Sequence, residues 1–103
     1  MEKRVCHYAL NRIKQLIIGG KYSITKSAMR TALQNFSFLE EDILKEILNL
    51  ENDSFYKSMT VHSDHTLWQD VYKKQIKDTR AYIKIQIASE NTVIISFKNE
   101  VEA

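Results

Sequence analysis

The hydrophobic period of this chain changes once, near Asp53, and that change restricts the fold more than any other feature. Before it, Val5, Ala9, Ile13, Leu16 and Ile17 recur at helical spacing, with Arg12 and Lys14 off the stripe. Residues 5–18 therefore predict an amphipathic helix. Gly19-Gly20 ends it, because glycine accepts the left-handed conformation common past a helix C-terminus. Tyr22 to Ile24 predicts a short strand, and Thr25 an N-cap for a second helix over about 26–35. Ser37-Phe38-Leu39-Glu40 has the capping-box pattern, serine with glutamate three residues on, and predicts a third helix running to about Leu50. Ile43, Ile47 and Leu50 then face inward, and Glu40, Glu41 and Asp42 occupy the first turn, where the helix dipole favours negative charge.

After Asp53 the pattern alternates. Phe55, Lys57, Met59 and Val61 share one side of a strand, and Tyr56, Ser58, Thr60 and His62 the other. Ser63-Asp64-His65 reads as a turn. On the next strand Leu67, Gln69 and Val71 oppose Trp68, Asp70 and Tyr72, and Lys73 to Arg80 reads as a basic connection. Ala81, Ile83, Ile85 and Ile87 then alternate with Tyr82, Lys84 and Gln86. Ser89-Glu90-Asn91 turns the chain into a β-branched strand from Thr92 to Lys98. Helices first and antiparallel strands afterwards predict an α+β fold, with N-terminal helices packed on one face of a mainly antiparallel sheet. With 103 residues, no proline, two adjacent glycines and no repeat, the chain reads as a single domain, residues 1–103.

Composition limits the function classes. One cysteine, Cys6, excludes an internal disulfide and suits a reducing cytoplasm; it reads as a small buried or half-buried residue. No signal peptide opens the chain, and apolar runs such as Leu16-Ile17-Ile18 are far short of the roughly 20 residues that cross a bilayer, so no membrane partner is expected. Net charge is only +2, but it is segregated: +6 over residues 1–35, −5 over 36–53, +3 over 54–98 and −2 over 99–103. Basic stretches divided by an acidic one permit a phosphate-attracting face without a high total charge.

The stretch DSFYKSMTVHSDHTLWQDVY, residues 53–72, concentrates hydrogen-bonding side chains among aromatics. The opening MEKR with His7, the block DSFYKSMT, then SDHT and WQDVY, and the closing ISFK resemble the MqsR family of toxins (motility quorum-sensing regulator) in order and spacing, nearly end to end. The resemblance implies a RelE-like fold. It implies the toxin of a type II toxin–antitoxin pair, an endoribonuclease that cleaves mRNA at GCU-like triplets with neither metal nor cofactor. It also implies an MqsA-like antitoxin partner that binds zinc and carries a helix-turn-helix DNA-binding domain, so that DNA is engaged only through the antitoxin. The family's catalytic positions fall on Lys57, Gln69, Tyr82 and Lys98, and its substrate-recognition positions on Tyr56 and Met59. Lys73 joins the substrate-binding set. Here Lys73-Lys74 stand where the best-known member has arginines and a proline, and lysine offers a point charge instead of a bidentate fork. His62 stands where a tyrosine is common, and the tail after Lys98 is longer and acidic.

The residue types suit that chemistry. Metal-free RNA cleavage sends the 2′-hydroxyl onto the adjacent phosphorus and leaves a 2′,3′-cyclic phosphate and a 5′-hydroxyl. A proton must leave the 2′-oxygen, charge on the non-bridging oxygens must be stabilised, and the 5′-oxygen must be protonated. Lys57 and Lys98 can neutralise the phosphorane, Tyr82 can orient phosphate or relay a proton, and Gln69, which does not titrate, can position the 2′-hydroxyl. Tyr56 can stack on an unpaired base. Tyr56 and Met59 lie three apart, on opposite faces of an ideal strand, so a shared base requires that the strand bulge or that one of them sit at its end. Taken singly, each of these residues also fits a plain structural role. A non-catalytic single-stranded RNA-binding module is the rival reading. His62, Asp64 and His65 offer two imidazoles and a carboxylate, but their spacing is tight and no fourth ligand is evident. The segment reads as a turn capped by Asp64, with His65 bonded to backbone, and no metal site is expected. His7 reads as an exposed residue near the start of the first helix.

Overall fold

A computed structural model describes residues 1–102. The elements run β1 (Glu2–Lys3), α1 (Leu10–Ile18), β2 (Tyr22–Ile24), α2 (Lys26–Phe36), α3 (Glu40–Leu48), β3 (Phe55–Val61), β4 (Asp64–Ile76), β5 (Thr79–Ala88) and β6 (Asn91–Asn99). Single 3₁₀ turns occupy Asn52–Ser54 and Glu100–Glu102. The strands form one sheet in the order β1-β3-β4-β5-β6-β2. Only β2 is parallel to its neighbour, β6; the other pairs are antiparallel. The α+β architecture is the expected one, with the helices on one face.

The alternation in β5 does most to set the layers. Ala81, Ile83 and Ile85 are fully buried on the helix side. They meet Ile13 and Ile17 of α1, Ala28, Ala32 and Phe36 of α2, and Ile43 and Ile47 of α3, together with Tyr72, Ile94 and Phe97 from the flanking strands. Phe36 packs edge-on to Phe97 at 5.6 Å between centroids. Each large apolar side chain so buried contributes about 1.5–3 kcal/mol, which fixes which face of the sheet is covered. Among the described residues the opposite face carries no helix, and its residues are those that alternate with the core.

Local signals hold in some places and yield in others. Gly20 takes φ 78° after α1, as the glycine pair predicts, and Lys21 N–H closes the end onto the Leu16 carbonyl at 2.8 Å. Thr25 caps α2: its Oγ1 accepts the Ala28 N–H at 3.0 Å and donates to the Ile95 carbonyl at 2.9 Å. Thr25→Ala should cost about 1 kcal/mol, roughly 4–8 °C of melting temperature in a chain this size. Thermal denaturation checks this, and an unchanged midpoint would show that the cap is dispensable.

Helix α1 begins at Leu10, not near residue 5. The buried carboxylate of Asp70 accepts the N–H of His7 at 3.0 Å and of Tyr8 at 2.9 Å, and so holds residues 5–9 outside the helix. Val5 is therefore exposed, as is the free thiol of Cys6, against the expectation of a buried or half-buried cysteine. Ser37 does not cap α3. It ends α2 in the left-handed conformation (φ 60°), and α3 starts at Glu40, with the Leu39 N–H donated to the Asp42 carboxylate at 2.9 Å.

The β3–β4 turn falls on His62–Ser63, one residue earlier than expected, and Asp64 opens β4. Asp64 still caps the turn, accepting from Thr66 N–H at 2.9 Å and Thr66 Oγ1 at 2.6 Å. His65 is exposed and, among the described residues, its ring bonds to no backbone group. Lys73 to Arg80 is no loop. β4 continues to Ile76, turns at Lys77–Asp78, and β5 begins at Thr79. The β5–β6 hairpin turns on Ser89 and Glu90, both at positive φ (51° and 58°), with Asn91 already in the strand.

Candidate functional site on the open face of the sheet

Strand register places every residue of the expected site on the face that the helices leave open. Three rows cross β3, β4, β5 and β6. Lys73 pairs with Tyr82, which pairs with Lys98. In the next row Lys57 pairs with Val71, Val71 with Lys84, and Lys84 with Ser96. In the third, Met59 pairs with Gln69, whose Nε2 donates to Gln86 Oε1 at 2.9 Å, and Gln86 pairs with Val93.

Tyr56 joins this face because the strand bulges. Pairing shifts between Phe55 and Lys57, leaving Tyr56 as the extra residue. Phe55 then faces the core, edge-on to Tyr72 at 5.6 Å, instead of sharing a side with Lys57 and Met59. Tyr56 lies beside the first row, with Lys73 Nζ 3.8 Å and Lys57 Nζ 5.6 Å from its ring centroid. The Arg4 guanidinium is 5.3 Å away and donates to the Tyr56 carbonyl at 3.2 Å. Tyr56 is among the exposed large side chains, and its ring is available to stack. A second shift, between Lys84 and Ile85, sets Ile95 off the ladder and keeps Ser96 and Lys98 on the open face.

Lys57, Tyr82 and Lys98 converge because lysine stems are long. Tyr82 and Lys98 are direct neighbours across β5 and β6, and Lys57 stands one row away on β3, with stems long enough to carry each ammonium over the face. Val71, between Lys57 and Lys84, is fully buried although it lies on the face without helices, which places it under the alkyl stems of the lysines flanking it. The face therefore has an apolar floor and a cationic surface.

Two carboxylates from the chain ends meet two of these lysines. β1 pairs Glu2 with Met59, and Glu2 Oε2 accepts from Lys57 Nζ at 2.7 Å. After β6, Glu100 Oε1 sits 2.7 Å from Lys73 Nζ. The hydrogen bond to Lys57, followed by its charge, holds the Glu2 carboxyl below the usual range; the same hydrogen bond raises Lys57. A depressed carboxyl pKa means the pair is intact above the ordinary glutamate value and is lost only as pH falls through the lowered one. Lys57 is thus a fixed cation at neutral pH. Lys73 likewise draws the Glu100 carboxyl down through its hydrogen bond. Lys98 has no carboxylate partner among the described residues; its Nζ lies 5.5 Å from the Tyr82 ring centroid. Burial raises the Tyr82 hydroxyl, with Lys57 and Lys73 partly offsetting it, so Tyr82 keeps its proton at neutral pH and can donate.

The sequence reading passed over three residues here: Lys84, Gln86 and Glu2. Lys84 and Gln86 were legible as the open-face partners of Tyr82, since the run Tyr82, Lys84, Gln86 alternates with buried isoleucines. Glu2 carries no local signal, because its place depends on β1 adding to β3. Lys74, next to Lys73, points to the helix side, where it meets Glu46 at 2.8 Å. His7 is also away from the site. It stacks on Trp68 at 5.6 Å with 17° between planes, and Lys3 Nζ lies 2.9 Å from its Nδ1.

The array offers fixed and free cations, a neutral phenol, an amide pair and an exposed aromatic ring over one shallow surface. That set can grip a phosphodiester, orient a sugar hydroxyl and stack a base. The family pattern described as "Motility quorum-sensing regulator, toxin of MqsA" matches residues 5–99. The mRNA interferase toxin MqsR of Escherichia coli (strain K12) is 37% identical over 100 residues, a span covering 97% of this chain and 100% of that protein. Matched along almost its whole length by both, the chain belongs to the motility quorum-sensing regulator family, the toxins of MqsA.

Proposed function

We propose that the open face cuts mRNA through the RNA's own 2′-hydroxyl, without a metal, at GCU-like triplets. The observation that carries this reading is the convergence of Lys57, Gln69, Tyr82 and Lys98 on one surface, in a chain of a toxin family with an mRNA interferase relative. Lys57 and Lys98 hold the non-bridging oxygens as negative charge grows on phosphorus. Tyr82, protonated, donates a hydrogen bond to the same phosphate from between them. One N–H of Gln69 is held by Gln86, and its amide oxygen, which accepts no hydrogen bond among the described residues, can accept from the 2′-hydroxyl and orient it for in-line attack. The bulge presents Tyr56 to stack on an unpaired base, with Met59 packing on the same nucleotide's surroundings and Lys73 on a flanking phosphate.

The chain acts as the toxin of a type II pair in the bacterial cytoplasm, as a single RelE-like domain. Its partner is a zinc-binding antitoxin of the MqsA kind, which reaches DNA through its own helix-turn-helix. No helix among the described residues is long and apolar enough to cross a membrane.

Incubating the protein in EDTA with a defined mRNA that contains several GCU sites tests the reading. The expected products end in 2′,3′-cyclic phosphate and 5′-hydroxyl at a common triplet. RNA retained but left intact would mean a binding module instead. Tyr56→Ala should weaken RNA binding by about 1–3 kcal/mol, roughly 5–150-fold in affinity, if a base stacks there. Equilibrium titration with a labelled oligonucleotide checks this; an unchanged affinity removes Tyr56 from the interface.

A further inference from the structure

We propose that Lys84 is a catalytic residue of this face: its ammonium protonates the departing 5′-oxygen of the cleaved RNA. The inference rests on the ribonuclease reading above and adds a residue that the family resemblance does not carry. Lys84 occupies the middle of the open face. It pairs with Val71 on one side and Ser96 on the other, one row from Tyr82 and Lys98. Its Nζ is 5.8 Å from the Tyr82 ring centroid, on the ring that Lys98 approaches to 5.5 Å. Lys84 thus shares a row with Lys57 and lies diagonal to Lys98, beside any phosphate that the two hold on this face.

The three lysines differ in what their protons can do. Lys57 is bound to Glu2 at 2.7 Å and its proton is pinned. The Lys84 ammonium has no carboxylate partner and no hydrogen bond among the described residues. It is half-buried, and burial, followed by the charges of Lys98 and Lys57, lowers its pKa below the usual lysine range. A phosphate arriving over it supplies the missing counter-charge, and each later loss of a proton relieves crowding among three cations. General acids work best when their affinity for the proton is near the operating pH, and burial moves Lys84 in that direction.

The step balances within the RNA, the lysine and solvent. The 2′-oxygen forms a bond to phosphorus while the P–O5′ bond breaks. The 2′-hydroxyl proton leaves to solvent water. Lys84 gives its proton to the 5′-oxygen, is left as a neutral amine, and is recharged from solvent.

Two variants and two substrates test this. Lys84→Arg keeps the charge but has no transferable proton near neutral pH, and Lys84→Ala removes both. Each is assayed on an RNA cleaved by the wild-type protein and on the same RNA with sulfur replacing the bridging 5′-oxygen at the cut, a leaving group that needs no acid. Both variants should lose about 10²–10⁴-fold on the oxygen-linked RNA and return to within about tenfold of wild type on the sulfur-linked one. Equal loss on both substrates would overturn the proposal and make Lys84 a charge or positioning residue. So would full activity of Lys84→Arg on ordinary RNA. A melting midpoint for Lys84→Arg close to wild type keeps the comparison valid should Lys84→Ala fold poorly. If no RNA is found that the wild-type protein cuts, the ribonuclease reading itself fails and the role of Lys84 with it.

Discussion

Replacing Lys98 with alanine lowers the rate of RNA cleavage by about 10²–10⁴-fold and leaves RNA binding within about tenfold. The expectation follows from its position. Lys98 ends the row Lys73, Tyr82, Lys98, and among the described residues it is one of two open-face lysines with no carboxylate partner. Its charge is therefore available to the phosphorane, where charge is greatest, and is only one of several cations that attract the ground-state backbone. Removing it should act on kcat far more than on KM, because the lost interaction belongs to the transition state. Single-turnover cleavage beside equilibrium binding of an uncleavable RNA separates the two. A variant that cuts within about threefold of wild type would remove Lys98 from the catalytic set.

Asp70→Ala should lower stability by about 3 kcal/mol, a fall of roughly 12–24 °C in melting temperature. Asp70 is fully buried, and its carboxylate accepts two backbone N–H groups from an arm more than sixty residues earlier in the chain. Hydrogen bonds to a buried charge are among the stronger ones, and alanine leaves both donors and the cavity behind. Asp70→Asn keeps an acceptor and should recover part of the loss. The arm carries β1, so its release also frees Glu2 from Lys57. Thermal denaturation gives the stability, and hydrogen exchange at the His7 and Tyr8 amides reports the arm. Unchanged exchange in Asp70→Ala would show that the arm is held by something else.

These two sites mark where the sequence was and was not readable. The alternation of Tyr82, Lys84 and Gln86 with buried isoleucines is local, and it set the faces of β5 correctly. Thr25 and Gly20 act within one helical turn, and both behaved as their types predict. The bulge at Tyr56 was legible as one of two conditions, since Tyr56 and Met59 can serve one base if the strand bulges or if one of them sits at its end, and register shows the bulge. The start of α1 was not legible, because a carboxylate in β4 decides it. Ser37 misled for a related reason: a residue that ends α2 in the left-handed conformation is not free to begin α3. Lys73-Lys74-Gln75 looked like a connection because it is polar, yet its alternation is that of a strand. Lys73 faces the site and Lys74 meets Glu46 on the helix side. The candidate site residues came from the resemblance. Their convergence came from register, which no single strand contains.

An RNA with one change shows directly whether the RNA's own 2′-hydroxyl is the nucleophile. In an oligonucleotide that the protein cuts, the 2′-hydroxyl of the nucleotide just 5′ to the cut is replaced by hydrogen. Binding should stay near that of the unmodified RNA, with no cleavage at that bond, because the attacking group is gone. Cleavage at the same bond would mean that the nucleophile comes from elsewhere, and that Lys57, Gln69, Tyr82 and Lys98 serve a different reaction.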